Sequence, residues 1–244
     1  MTPRIAVLSF DVEQDCPPYL ASTRGMEEGL PRILDMLSEE GAKATFFFTA
    51  EMARKFPSLV RRVIDEGHEL GSHGYMHERL DKLSPSEARR FLEKATAVLR
   101  RYSSIRSFRA PNLQLPGELL PVLEKLGYVV DSSLARYKPP FPRGARTAGG
   151  LVRLPVSVTS SVLRLPWRLQ RLIHNALAPP LVYFSHPWEY VDMRSAPIRL
   201  DCRFNTGDAA LDLLRRLIRF LRGNGYTITT VCKAARRLGY SVEC

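Results

Sequence analysis

A parallel β/α barrel is the fold class this sequence predicts, and three observations predict it. Strand-like and helix-like stretches alternate along nearly the whole chain, the pattern of crossover-connected parallel strands. The length, 244 residues, is typical of one such barrel and holds about seven strand–helix units. Ionisable residues gather where the predicted strands end, which is where barrels and open α/β sheets carry chemistry. The chain is therefore read as a single domain spanning residues 1–244, without internal repeats or a low-complexity tail.

The first strand is the apolar, β-prone run Ile5-Ala6-Val7-Leu8-Ser9-Phe10. It leads into Asp11-Val12-Glu13-Gln14-Asp15, whose acids at spacing two share a face in extended chain. A helix near 26–40 and its closing Gly41 precede a second strand at 43–49, carrying Phe46-Phe47-Phe48. A helix at 50–66, closed by Gly67, leads into a strand at 68–72 and the run His73-Gly74-Tyr75-Met76-His77. Two histidines four apart can converge on one ion if the backbone makes a helical turn or a tight loop. Ser84-Pro85-Ser86-Glu87 starts the helix at 85–102, with Ser84 as cap and Glu87 at the capping-box position.

A strand at 106–109 runs into Arg109-Ala110-Pro111-Asn112, and after a helix at 117–126 a strand at 128–131 ends in Asp131-Ser132-Ser133. Residues 136–150, rich in proline and glycine, read as a loop. Beyond it come a strand at 151–157, a helix at 162–177 and a strand at 181–186. That strand ends in His186-Pro187-Trp188-Glu189, with the histidine held extended before a proline. A helix at 207–223, a strand at 226–230 and a helix at 231–238 complete the series. Singly, Arg109 reads as a surface ion pair, Asp131 as a helix cap and His186 as a core histidine; their common place at strand ends argues for a site.

Hydrophobic content of 45% and charged content of 25% are ordinary for a globular protein. The first apolar run is short and is itself the acid-bearing strand, so no signal peptide is expected. No stretch reaches the roughly 18 apolar residues of a membrane span. Cys16, Cys202, Cys232 and Cys244 show no CxxC spacing and read as reduced thiols of a cytoplasmic protein. The balance of 36 Lys+Arg against 25 Asp+Glu, a formal +11, is met by solvated helix faces or by an anionic partner. With no zinc-finger, RRM or helix-turn-helix signature, nucleic acid is the least favoured partner. Residues 162–184 mix leucines, Trp167 and arginines before turning apolar. They read as a barrel helix with a basic face, or as an interfacial helix that holds the protein peripherally on an anionic membrane.

Taken together, these motifs resemble the polysaccharide deacetylases, the NodB-homology group or carbohydrate esterase family 4. Ser9-Phe10-Asp11 is similar to the first family motif, Gly67 to His77 to the second, and Arg109-Ala110-Pro111 to the third; Asp131 falls in the fourth and His186 in the fifth. The usual adjacent acid pair is replaced by Asp11-Val12-Glu13. Together with Asp131-Ser132-Ser133 and His186-Pro187-Trp188-Glu189, this resembles a branch with an Asp-x-Glu first motif.

The resemblance implies a distorted (β/α) barrel of about seven strands and hydrolytic removal of an acetyl group from an N-acetylated saccharide, polymeric or lipid-linked. It implies Asp11 as general base, His186 as general acid, Arg109 as the support of Asp11, and Asp131 as the acid behind His186. A divalent metal would be held by Glu13, His73 and His77, with Asp15 the alternative carboxylate. Two imidazoles and a carboxylate suit zinc best, with cobalt, nickel and iron(II) next. Tyr19, Tyr75 and Trp188 are candidates to stack on a sugar ring, and Asn112 stands where the family often has tyrosine. Two rivals are an allantoinase-like or deformylase-type hydrolase of another carbon–nitrogen bond, and a non-catalytic basic binding module.

Overall fold

The computed structural model describes residues 3–244. Strands β1 (Ile5–Val12), β2 (Thr45–Phe48), β3 (Glu69–Ser72), β4 (Ser107–Phe108), β5 (Val130–Asp131), β6 (Arg146–Ala148), β7 (Leu151–Arg153), β8 (Leu181–Ser185) and β9 (Thr227–Thr229) form one sheet. Its order is β6-β7-β5-β4-β3-β2-β1-β8, with β9 also paired to β1. Every pairing is parallel except β6 with β7. The sheet curls until the Ser157 amide reaches the Val182 carbonyl of β8 at 2.8 Å. The expected distorted barrel is what forms.

Period-two alternation sorts the side chains onto two faces. Along β1, Ala6, Leu8 and Phe10 pack into the outer core beneath the helices, while Ile5 and Val7 join the interior cluster with Phe47, Val130, Val182 and Phe184. Continuing the interior row past Val7 gives Ser9 and Asp11, so the same alternation that fills the core aims the first acid inward. In the outer core Phe10 stacks on Phe46 at 4.9 Å. Burying each such ring contributes about 1.5–3 kcal/mol.

The helices are α1 (Leu30–Glu39), α2 (Ala50–Lys55), α3 (Pro57–Asp65), α4 (Pro85–Leu99), α5 (Leu120–Lys125), α6 (Trp167–Ala176), α7 (Leu200–Arg203), α8 (Asp208–Gly223) and α9 (Val231–Arg237). The capping box before α4 forms as expected: Ser84 Oγ accepts the Glu87 amide at 3.4 Å and Glu87 Oε2 accepts the Ser84 amide at 3.1 Å. Elsewhere the elements differ from expectation for identifiable reasons. The stretch 50–66 is two helices, because Pro57 has no N–H to donate and Phe56 before it leaves helical geometry (φ −127°, ψ 60°). The loop expected at 136–150 contains β6, joined to β7 by Gly149-Gly150, a hairpin connection.

A disulfide joins Cys232 to Cys244. This corrects the reading of four reduced thiols and removes cysteine usage as an argument for a reducing compartment. Among the described residues no helix is long and apolar enough to cross a membrane.

Candidate active site

The site is built where the interior rows of β1, β3, β4 and β8 run out. Arg109 follows β4 on the interior row of Ser107 and is fully buried. Its Nη1 donates to Asp11 Oδ1 at 2.7 Å and to Ser9 Oγ at 2.8 Å, and its Nη2 to Ser132 Oγ at 3.0 Å. The guanidinium lies 4.3 Å from the Phe47 ring centroid. A buried ion pair is tolerable when its other donors find partners, and here Nε also donates to the Ser132 carbonyl at 3.3 Å, so Asp11 is held in one orientation.

His73 follows β3, and its amide donates to the Phe48 carbonyl at 2.8 Å. Its Nδ1 lies 2.8 Å from the Arg109 carbonyl. A carbonyl can only accept, so this contact places the proton on Nδ1 and turns the Nε2 lone pair toward Glu13, 3.3 Å from Oε2. The chain then turns through Gly74 (φ +83°) to His77 (φ +65°), a tight loop and not a helical turn. The Gly74 and Tyr75 carbonyls accept the Ala50 and Glu51 amides at the start of α2, at 3.0 and 2.9 Å. Glu78 accepts the Tyr75 and Met76 amides. So braced, the loop brings His77 Nε2 to 2.8 Å from Glu13 Oε2.

Glu13 continues the alternation of β1. Its carboxylate and the two imidazoles offer ligand atoms all within 4.8 Å of one another. Glu13 Oε2 is buried and receives no hydrogen bond of acceptable geometry, despite its nearness to both rings. Three lone-pair donors facing one point, one of them otherwise orphaned, fit a divalent cation with three protein ligands and open positions. Burial alone would raise the Glu13 pKa; the adjacent His77, His73 and His186 outweigh it and hold the carboxyl well below its ordinary range. Asp15 serves elsewhere: it accepts Ser22 Oγ at 2.6 Å and the Arg24 and Gly25 amides at 2.8 Å, fixing the entry to α1.

His186 follows β8 on the interior row of Val182 and Phe184. Its Nδ1 lies 2.7 Å from Glu189 Oε1 and its Nε2 3.8 Å from Glu13 Oε1. Glu189 Oε2 in turn accepts Arg164 Nε at 2.6 Å, within buried surroundings. Burial would lower the His186 pKa, but the Glu189 hydrogen bond and the charges of Glu13, Glu189 and Asp11 raise it to about 9. The Glu189 contact thus favours the imidazolium form of His186.

The acid behind His186 is Glu189, and this corrects the expectation for Asp131. Val130 lies in the interior cluster and Ser132 reaches Arg109 from the same row, so Asp131 between them is on the opposite face. There it accepts Arg153 Nε at 2.8 Å and pairs with Ser133, whose Oγ accepts the Ala110 amide. Asp131 therefore braces the Arg109-Ala110 turn without touching His186.

Asp11, Glu13, His73, His77 and His186 line one cleft of about 470 Å³, shared by Tyr19, Asn112 and Trp188. Trp188 stacks on His186 with ring centroids 5.2 Å apart, and its buried indole N–H has no protein acceptor. Tyr75 is not at this cleft: its hydroxyl accepts Arg54 Nη1 at 3.0 Å. Sequence reasoning missed Glu189 and Arg164. Glu189 stood in the quoted His-Pro-Trp-Glu run at the spacing that lets it bond its own turn. Arg164 comes from an arginine-rich stretch and had no signal of its own.

A family model described as polysaccharide deacetylase matches residues 1–130. The peptidoglycan-N-acetylglucosamine deacetylase of Bacillus cereus is 40% identical over 95 residues, covering 38% of this chain and 33% of that protein. The chain thus spans about a third of the length of this curated relative. Among solved structures, a putative polysaccharide deacetylase from Mycobacterium smegmatis matches with TM-score 0.76 and 18% identity, over 98% of this chain and 91% of that one. A family 4 carbohydrate esterase from Streptomyces lividans, in complex with acetate, matches with TM-score 0.62 and 16% identity, over 93% of each chain. At these identities the structural matches speak for the fold.

Proposed function

The chain belongs to the polysaccharide deacetylase family, and from that premise we propose that it hydrolyses the acetamide of N-acetylated saccharides with a divalent metal, zinc by preference. The observation that carries the proposal is the convergence of Glu13, His73 and His77 in one cleft with Asp11 and His186. Glu13, His73 and His77 would hold the metal, which when bound supplies Lewis-acid polarisation and lowers the pKa of a bound water. Asp11, fixed by Arg109, accepts the proton of the attacking water. His186, kept protonated by Glu189, gives a proton to the departing amine, which must leave as a neutral amine. Tyr19 and Trp188 supply stacking surface at the cleft, and Asn112 polar contact.

Elemental analysis of the purified protein, paired with acetate release from N-acetylglucosamine oligomers and lipid-linked acetylated sugars, tests the proposal. One equivalent of metal and metal-dependent acetate release are expected. Metal-free protein that hydrolyses a cyclic amide instead would favour the allantoinase-like reading. Metal binding with no hydrolysis would leave a binding module.

We further propose peripheral attachment to an anionic membrane through α6. The helix buries Gln170 and His174 while leaving Leu169 and Leu172 49% and 67% exposed beside Arg168 and Arg171.

A further inference from the structure

Cys16 and Cys202 come from opposite ends of the chain and meet at the wall of the cleft. Cys16 follows the Glu13-Gln14-Asp15 run and is buried; Cys202 lies in α7 and is partly exposed. Both line the cleft, and both pack in one small apolar cluster with Trp188, Val191, Met193 and Ile198. Both are free thiols, and neither belongs to the Cys232–Cys244 disulfide. Nothing in the chemistry of acetamide hydrolysis uses them.

We propose that Cys16 and Cys202 form a reversible dithiol–disulfide site that staples the Cys16–Ser22 turn to α7 across the cleft wall, taking a small-molecule disulfide as its oxidant. The Cys202 thiolate attacks one sulfur of the oxidant RSSR, forming Cys202–S–S–R and releasing RS⁻, which takes up the proton Cys202 lost. Cys16, as thiolate, then attacks the Cys202 sulfur and expels the second RS⁻, which takes up the Cys16 proton. The sum is two protein thiols and RSSR giving one protein disulfide and two RSH.

The order of attack follows from placement. Cys202 is the more accessible thiol, and the neighbouring Cys16 thiol draws it down to about 7, against the opposing effect of burial. The same pairing, together with burial, raises Cys16, which suits a resolving thiol that stays protonated until the mixed disulfide forms. The staple joins the segment carrying Pro17 and Tyr19 to the segment carrying Arg199 and Asp201, all at the cleft. It touches neither the metal ligands nor Asp11.

The full chain, with its Cys232–Cys244 bond intact, is treated with oxidised glutathione and analysed by intact mass and non-reduced peptide mapping. A loss of about 2 Da and a Cys16–Cys202 cross-linked peptide are expected, both reversed by excess reduced glutathione. Slower hydrogen exchange in the 16–22 turn and α7 should accompany the bond. Cys16→Ser should stop at the glutathione adduct on Cys202, and Cys202→Ser should take up none. Wild-type protein that accumulates the adduct, forms an intermolecular dimer, or stays reduced overturns the proposal. These readouts do not depend on deacetylase activity, so their failure and that of the proposed function are distinguishable.

Discussion

At the scale of single residues, the proposed mechanism gives base, acid and ligand roles to different side chains, and each assignment has its own test. Glu189 raises His186, and a general acid must be protonated to act. Removing that charge lowers the His186 pKa, so in Glu189→Gln the alkaline limb of kcat/KM on acetamide substrates should move to lower pH. Metal content should stay unchanged; an unmoved limb would mean that Glu189 does not tune the acid. Asp11→Asn cannot accept a proton, and kcat should fall roughly a hundredfold or more with metal retained. Alanine at His73 or His77 should remove stoichiometric metal, and full occupancy in the double variant would refute the ligand assignment. Glu13→Gln should behave likewise, whereas Asp15→Asn should keep metal and lower Tm, since it weakens the bonds to Ser22, Arg24 and Gly25. That Asp11, Glu13, His73, Arg109 and His186 gather at one end of the sheet was legible in the sequence because each lies at or just past a predicted strand end, whereas the position of His77 depends on the loop after β3. Asp131 was misread because a strand's end does not tell which of its two faces a residue takes. A one-residue step in the alternation put it behind Arg109 and left Glu189 beside His186.

At the scale of elements, alternation was legible and breaks in it were not. The eight parallel strands carry long-range apolar patterns that local sequence displays, while β6 is short and exposed and rests on the Gly149-Gly150 turn. The helix expected from residue 26 begins as a π-helical turn at Gly25–Gly29, a departure that only tertiary contact explains. A Cβ on Gly29 would lie 2.0 Å from the Pro187 carbonyl oxygen, and one on Gly25 would lie 2.6 Å from the Trp188 amide nitrogen. The glycines let this turn press against the segment that carries His186, Trp188 and Glu189, so packing of the first helix sets the position of His186. Gly29→Ala should therefore cost about 1–3 kcal/mol of stability by overpacking, read as a lower denaturant midpoint. It should also depress kcat more than metal occupancy. Wild-type stability in this variant would show that the close approach is not required.

At the scale of the whole molecule, the formal charge of +11 is unevenly compensated. Arg215 and Arg219 of α8 pair with Glu39 and Glu40, and Arg62 with Asp35 and Glu66. On α6, Arg168 and Arg171 have no carboxylate within ion-pair distance among the described residues. The helix follows the Ser160–Arg164 turn, of which Ser160, Ser161 and Arg164 line the cleft, so a surface bound to α6 would lie near the site. An amphipathic helix with arginines beside exposed leucines gains both apolar burial and attraction to anionic headgroups. Vesicles containing phosphatidylglycerol should co-sediment the protein at low salt and release it at high salt, because exposed charges are screened beyond about 10 Å at 0.1 M. Arg168→Glu together with Arg171→Glu should abolish the salt-sensitive part, and Leu172→Ser should weaken binding that remains at moderate salt. Equal sedimentation with purely zwitterionic vesicles, or none with either, would reduce the two leucines to ordinary exposed apolar residues.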